Sequence, residues 1–203
     1  GITSYIDPVP AIFLGSSEVS VKEMVGAFSI YANKGVYNAP MMVTKIEDKY
    51  GNVLANFYPE SREVITENTA FLMANLLQGV VDEGTGRRLR FRYGFKNQIG
   101  GKTGTTQNHS DGWFIGITPD LAGGVWVGAE DRSIHFQNLA NGQGASMALP
   151  IWALFMQKVY ADKSLAVPQS DFQKPNGVNH VLDCGDADRE GMMDYDSSDE
   201  IFD

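Results

Sequence analysis

The sequence predicts an α+β domain, a mainly antiparallel sheet flanked by helices. Three observations predict it. Strand-like runs at about 99–106, 112–118 and 123–129 follow one another closely, the last two joined by the tight Thr118-Pro-Asp-Leu121 connection. The middle run carries Trp113, Phe114, Ile115 and Ile117 and is apolar on both faces, so it reads as a central strand covered on both sides. Helical stretches at 21–33, 67–82 and 150–160 supply part of that cover.

Taken in order, residues 1–17 read as extended or looped, because Pro8 and Pro10 oppose a helix. Ser20-Val-Lys-Glu23 has the spacing of a capping box, and Val21, Met24, Val25, Phe28 and Ala32 then recur at helical intervals until Gly35. From Tyr37 to Phe57 the pattern is strand and hairpin, with Asp48-Lys-Tyr-Gly51 as the turn. Ala70, Met73, Ala74, Leu77 and Val81 form the buried stripe of a second helix, with Gly84 and Gly86 beyond its end. The basic and aromatic stretch 87–98 reads as a solvated loop. The last helix is placed at Pro150, since proline suits a first turn, and ends near Tyr160. Beyond it Asp, Ser, Gly and Asn dominate. The reading divides the chain into a globular part, 1–164, and an acidic, disordered tail, 165–203.

The net charge of −9 is unevenly spread. From Asp162 to Asp203 there are 11 acidic and 3 basic residues, which leaves 14 acidic and 13 basic in the remainder. Neither part has the basic face that nucleic-acid binding needs, so no nucleic-acid partner is expected. No apolar run approaches the ~20 residues of a membrane span, and Gly1–Leu14 lacks the basic start and apolar stretch of a signal peptide. The single cysteine, Cys184, says nothing about redox compartment. His109, His135 and His180 lack metal-ligand spacing, so neither a metal nor another cofactor is expected.

The chemistry concentrates in Gly100-Gly-Lys-Thr-Gly-Thr-Thr106. Lys102 offers a fixed positive charge, Thr103 and Thr105 offer hydroxyls, and Gly104 lets a ligand lie against the backbone. Such a strand can bind an anionic peptide end and present a backbone N–H to a developing oxyanion. A phosphate-binding loop is the first rival, because Gly-Lys-Thr also closes that motif. It needs a glycine where Lys96 stands and a helix after the threonine, whereas here a polar turn and a strand follow. A surface turn is the second rival for so short a tripeptide.

The surrounding segments decide between these readings. IFLGSSEVSVKEMVGAFSIYANKG, Arg62-Glu-Val-Ile65, Gly84-Thr85-Gly86, GGKTGTTQNHSDGWFIGITPDLAGGVWVGAED, Gly144-Ala145 and Pro150-Ile-Trp152 appear in this order. Together, from about Ala11 to Met156, they resemble the transpeptidase domain of class A (bifunctional) penicillin-binding proteins. The resemblance implies the C-terminal part of a penicillin-binding/serine β-lactamase-like domain. It implies D,D-transpeptidation of stem peptides ending in D-Ala-D-Ala, through a serine acyl-enzyme that β-lactams also form. It assigns catalytic roles to Lys102 and Thr105, the latter through its backbone N–H, and substrate binding to Thr103, Gly104 and Thr105. It further implies a cell-envelope protein, anchored in the cytoplasmic membrane with this domain outside the cytoplasm, and an N-terminal glycosyltransferase domain.

No serine here begins a Ser-x-x-Lys, Ser-x-Asn or Ser-Asp-Asn motif. The expectation is therefore that the nucleophile belongs to an upstream segment of the same domain and that this chain alone is inactive. A serine D,D-carboxypeptidase or β-lactamase-type hydrolase is the enzymatic alternative, and a non-catalytic structural or binding fragment the other. Asp111, Trp113, Glu130, Asp131 and His135 read as structural.

Overall fold

A computed structural model describes residues 1–178. Its centre is a three-stranded antiparallel sheet of β5 (Gly100–Thr105), β6 (Asp111–Ile117) and β7 (Ala122–Gly128), with β6 in the middle. Alternation along β6 sends Gly112, Phe114 and Gly116 to one face and Trp113, Ile115 and Ile117 to the other.

The first face packs on α5 (Gly144–Ala161). Phe114 stacks edge-on against Trp152, 5.4 Å between ring centroids, inside a cluster that includes Leu89, Ile99, Leu149 and Met156. Gly116 makes room for this indole, because a Cβ there would lie 2.5 Å from the ring. The second face meets α1 (Val21–Ala32) and α2 (Glu67–Asp82): Ile117 packs with Ala74 and Leu77, and Phe28 and Tyr31 close the cluster from α1. The expectation of a central strand covered on both sides holds for these residues.

The helix starts behave as their sequences require. The Ser20 side chain accepts the Glu23 N–H while the Glu23 carboxylate accepts the Ser20 N–H, the reciprocal pair of a capping box. The same carboxylate accepts the backbone N–H groups of Thr3 and Ser4, tying the first residues to α1. These bonds, that from Ser20 foremost, hold Glu23 far below the usual carboxylate range. Gly35 ends the helical region at φ +90, where a Cβ would collide with the Ile65 carbonyl oxygen.

Two small antiparallel pairs lie between α1 and α2. β1 (Val36–Asn38) pairs with β4 (Ser61–Glu63), and β2 (Lys45–Glu47) forms the expected hairpin with β3 (Val53–Asn56). The Asp48 carboxylate accepts the N–H groups of Tyr50 and Asn52 and fixes that hairpin's turn.

Three readings are corrected. Pro10–Leu14 is a short 3-10 helix rather than extended chain, with Pro10 in its first turn, where a missing N–H costs nothing. The stretch 87–98 is not a solvated loop. It contains the short helix α3 (Arg88–Phe91), Leu89 is wholly buried, and Arg88 and Arg90 serve the fold. Arg88 Nη1 donates to the Ala145 carbonyl and the Ser146 hydroxyl at 2.9 and 2.8 Å, and Arg90 to the Phe95 and Asn97 carbonyls while pairing with Asp82. The last helix begins at Gly144, six residues before Pro150. Ala145, Met147, Ala148 and Leu149 are all buried, and this packing outweighs the one helical bond that Pro150 removes. A four-residue helix, α4 (Leu139–Gly142), precedes it.

After α5 the described chain, 165–178, forms neither helix nor strand. Its Ser170 hydroxyl donates to Asp120, its Phe172 N–H donates to Gln98, and the Phe172 ring packs beside Ala74 and Leu77. The remainder of the predicted tail, 179–203, with Cys184 and His180, lies outside the described residues.

Candidate active site

All four residues singled out in the sequence lie on β5, which among the described residues has β6 as its only neighbour. The direction of each backbone group follows from the ladder. The Thr106 N–H donates to the Asp111 carbonyl, so 106 and 111 form a hydrogen-bonded pair. Such pairs alternate with non-bonded ones, so Thr103–Phe114 and Thr105–Gly112 are non-bonded pairs. The N–H and C=O of Thr103 and Thr105 therefore point away from β6, toward the open edge. The Thr103 carbonyl meets the Lys102 ammonium there, at 2.7 Å.

The pleat divides the side chains. Thr103 and Thr105 share the face of Phe114 and α5, whereas Lys102 and Gly104 share that of Trp113 and Ile115. A ligand laid along the open edge thus meets the ammonium from one side, the hydroxyls from the other, and the Thr105 N–H in between. Gly104 keeps that path low. A Cβ there would already lie 3.1 Å from the Trp113 Cβ.

Both hydroxyls are held from behind. The Gly144 N–H, at the start of α5, donates to Thr105 Oγ1 at 3.0 Å. With its oxygen already accepting, Thr105 has its proton free to donate outward. Thr103 Oγ1 lies 2.7 Å from Thr85 Oγ1, in the loop after α2. The β5–β6 turn is rigid: the Asp111 N–H donates to Thr106 Oγ1, Thr106 Oγ1 also meets Ser110, and His109 adopts φ +58.

The neighbouring candidates take supporting positions. Asp111 opens β6 half-buried, and burial pushes its carboxyl up, partly offset by Arg132. Asp131 caps its own turn by accepting the Ser133 N–H, which lowers its pKa. His135 Nδ1 lies 3.0 Å from the Phe136 carbonyl in an exposed loop. Among the described residues no cluster of His, Cys, Asp and Glu has the geometry to hold a metal ion. No described helix is long and apolar enough to cross a membrane.

Two contributors, Thr85 and Gly144, are not assigned a role from the sequence: Gly84-Thr85-Gly86 reads as a helix-terminating loop at least as readily as a border of the cleft, and Gly144 is given none. Both stood inside segments that were noted, but their contacts span 18 and 39 residues, and no local period signals contacts of that range.

Comparison with known proteins bears on the arrangement as a whole. The profile of the penicillin binding protein transpeptidase domain matches residues 11–144. The chain is 33% identical over 170 residues to penicillin-binding protein 1A of Aquifex aeolicus, covering 84% of this chain and 22% of that protein. It is 32% identical over 188 residues to penicillin-binding protein 2D of Bacillus subtilis, covering 89% and 26%. The chain thus spans about a quarter or less of the length of these relatives. The crystal structure of penicillin-binding protein 1A from Haemophilus influenzae superposes with a TM-score of 0.72 at 25% identity, over 83% of this chain and 30% of that one. PonA1 from Mycobacterium tuberculosis, in a structure with penicillin V, shares the fold with a TM-score of 0.64 at 24% identity, over 83% and 44%. The profile spans most of the described chain and takes in β5, β6, β7 and the first residue of α5, so the chain belongs to the penicillin-binding protein transpeptidase family.

Proposed function

We propose that this chain is the C-terminal part of the catalytic domain of a class A peptidoglycan D,D-transpeptidase. In this reading a serine hydroxyl attacks the carbonyl carbon of the penultimate D-alanine of a stem peptide. The C–N bond breaks, and the terminal D-alanine leaves as the free amino acid, taking the proton that the serine gave up. An amine of a second stem peptide then attacks the ester, forming the cross-link and returning the proton to the serine. A β-lactam presents a comparable amide and carboxylate, and the same serine opens it.

The observation that carries the reading is the open edge of β5. It offers an outward N–H at Thr105, two outward hydroxyl positions and an ammonium that no carboxylate neutralises among the described residues. The Thr105 N–H serves as one oxyanion donor, and the Thr103 and Thr105 hydroxyls bind the terminal carboxylate. Gly104 admits the substrate backbone, and the Lys102 charge favours anionic substrate and transition state.

The nucleophile is a serine outside these 203 residues, on an upstream segment of the same domain. Two features support such a segment. β7 has β6 as its only neighbour among the described residues, which leaves one edge open. On α5, Ile151, Leu154 and Phe155 recur at helical spacing and are each more than half exposed, which is unusual for such side chains unless something covers them. The kinship with proteins named 1A supports a glycosyltransferase domain, a membrane anchor and a place in the cell envelope, with the transpeptidase domain outside the cytoplasm.

The test is intact-mass spectrometry after incubation with a penicillin. The full-length protein should gain one penicilloyl group, mapped to a serine beyond this chain, whereas the 203-residue chain should gain none. A stoichiometric adduct on any serine of this chain would overturn the assignment of the nucleophile.

A further inference from the structure

We propose that Thr85 is a positioning residue of this site, acting through Thr103 to set the strength and direction of carboxylate binding. The inference rests on the function proposed above and adds a residue to it. Thr85 Oγ1 lies 2.7 Å from Thr103 Oγ1, a short hydroxyl pair between two elements far apart in sequence. Thr85 is well fixed for an exposed loop residue. The Gly84 N–H donates to the Gly79 carbonyl, and the Gly86 N–H to the Val80 carbonyl, so the loop is clamped onto the last turn of α2 on both sides of Thr85. The glycines permit this closeness. A Cβ on Gly84 would lie 2.9 Å from backbone atoms of Val80, and one on Gly86 would lie 3.1 Å from the Val80 oxygen.

The chemistry follows from counting protons. Each threonine hydroxyl has one proton to donate and lone pairs to accept with. When an anionic carboxylate arrives, Thr103 turns its proton to the anion, and its oxygen then accepts the proton of Thr85. Two hydroxyls in series polarise each other, so Thr103 becomes a stronger donor than it would be alone. Thr105 is prepared the same way by a backbone group, the Gly144 N–H. The strand thus presents two hydroxyls, each backed by a donor from behind, Thr105 by main chain and Thr103 by Thr85. Only the second backing is itself a side-chain group, which a substitution removes without moving an element of the fold.

The experiment measures second-order acylation of the full-length protein by a penicillin and by its methyl ester, which lacks the carboxylate charge. Thr85→Val keeps the shape and removes the hydroxyl, Thr85→Ser keeps the hydroxyl, and Thr103→Val removes the group through which Thr85 acts. Thr85→Val should slow the free acid roughly 2–10-fold, the range of one hydrogen bond between uncharged groups, and leave the ester nearly unchanged. Thr85→Ser should restore the rate, and Thr85→Val should have little further effect on top of Thr103→Val. Equal slowing of acid and ester, no rescue by serine, or additivity with Thr103→Val would overturn the positioning role. Wild-type reaction with unaffected Thr85→Val would defeat this inference alone. A wild-type protein that is not acylated would defeat the proposed function, and this inference with it.

Discussion

Lys102→Ala in the full-length protein is expected to slow acylation by a penicillin roughly 10²–10³-fold, the usual cost of one preorganised electrostatic contact in an active site. The side chain is exposed, and its ammonium donates to the carbonyl of the adjacent Thr103. Two other lysines are paired, Lys34 with Glu67 and Lys45 with Glu47, but no carboxylate meets Lys102 among the described residues. Its charge is therefore not spent on the fold. Removing an exposed side chain of this kind changes stability by about 0.5 kcal/mol or less. Stopped-flow acylation together with thermal melting separates the two effects. A large rate loss with an unchanged melt is the expected outcome, and acylation within about threefold of wild type, far short of the loss of such a contact, would remove Lys102 from the site.

The second large effect belongs to Gly144. A Cβ at this position would fall on the Gly104 and Trp113 carbonyl oxygens. Both are main-chain atoms inside the β5–β6 ladder, so neither can swing aside as a flexible side chain would. Gly144→Ala must push the start of α5 away from the sheet. That movement breaks the Gly144 N–H bond to Thr105 and disturbs Gly112, which sits against Met147 and the Gly144 backbone. Overpacking of this kind costs about 1–3 kcal/mol, and acylation should fall as well because Thr105 loses its backing donor. Gly79→Ala is the control, since nothing lies within 4 Å of the added Cβ. In the interior of α2 it should be neutral or stabilising by ~0.5–1 kcal/mol. Denaturant unfolding and acylation rates of both variants decide the matter. A Gly144→Ala protein matching wild type in both would show that α5 does not set the strand.

Much of this architecture was legible in the sequence because it is written in local patterns. The Ser20–Glu23 box, the stripe from Ala70 to Val81, the Asp48–Gly51 turn and the doubly apolar β6 each declare themselves within one element. The Lys102–Thr105 strand was legible too, but through the ordered segments around it, since so short a tripeptide fits a surface turn as well. Two of the three misreadings occurred where packing overrode a local rule. Pro150 looked like a helix start, but four buried residues before it carry the helix on to Gly144. The arginines of 87–98 looked solvated, but Arg88 and Arg90 are bound to carbonyls of the fold, and Leu89 anchors the short helix between them. The bonds that prepare Thr103 and Thr105 come from Thr85 and Gly144, and nothing local to β5 announces them.

The central claim is that the open edge of β5 is the strand against which a substrate or β-lactam lies. A crystal structure of the full-length protein, or of its complete transpeptidase domain, acylated by a penicillin tests it most directly. The acyl carbonyl oxygen should accept the Thr105 N–H at about 2.7–3.1 Å, with the antibiotic's carboxylate on the Thr103 and Thr105 hydroxyls and its body running past Gly104. An acyl group whose carbonyl lies away from Thr105, or a carboxylate held by another element while β5 stays empty, would contradict the claim.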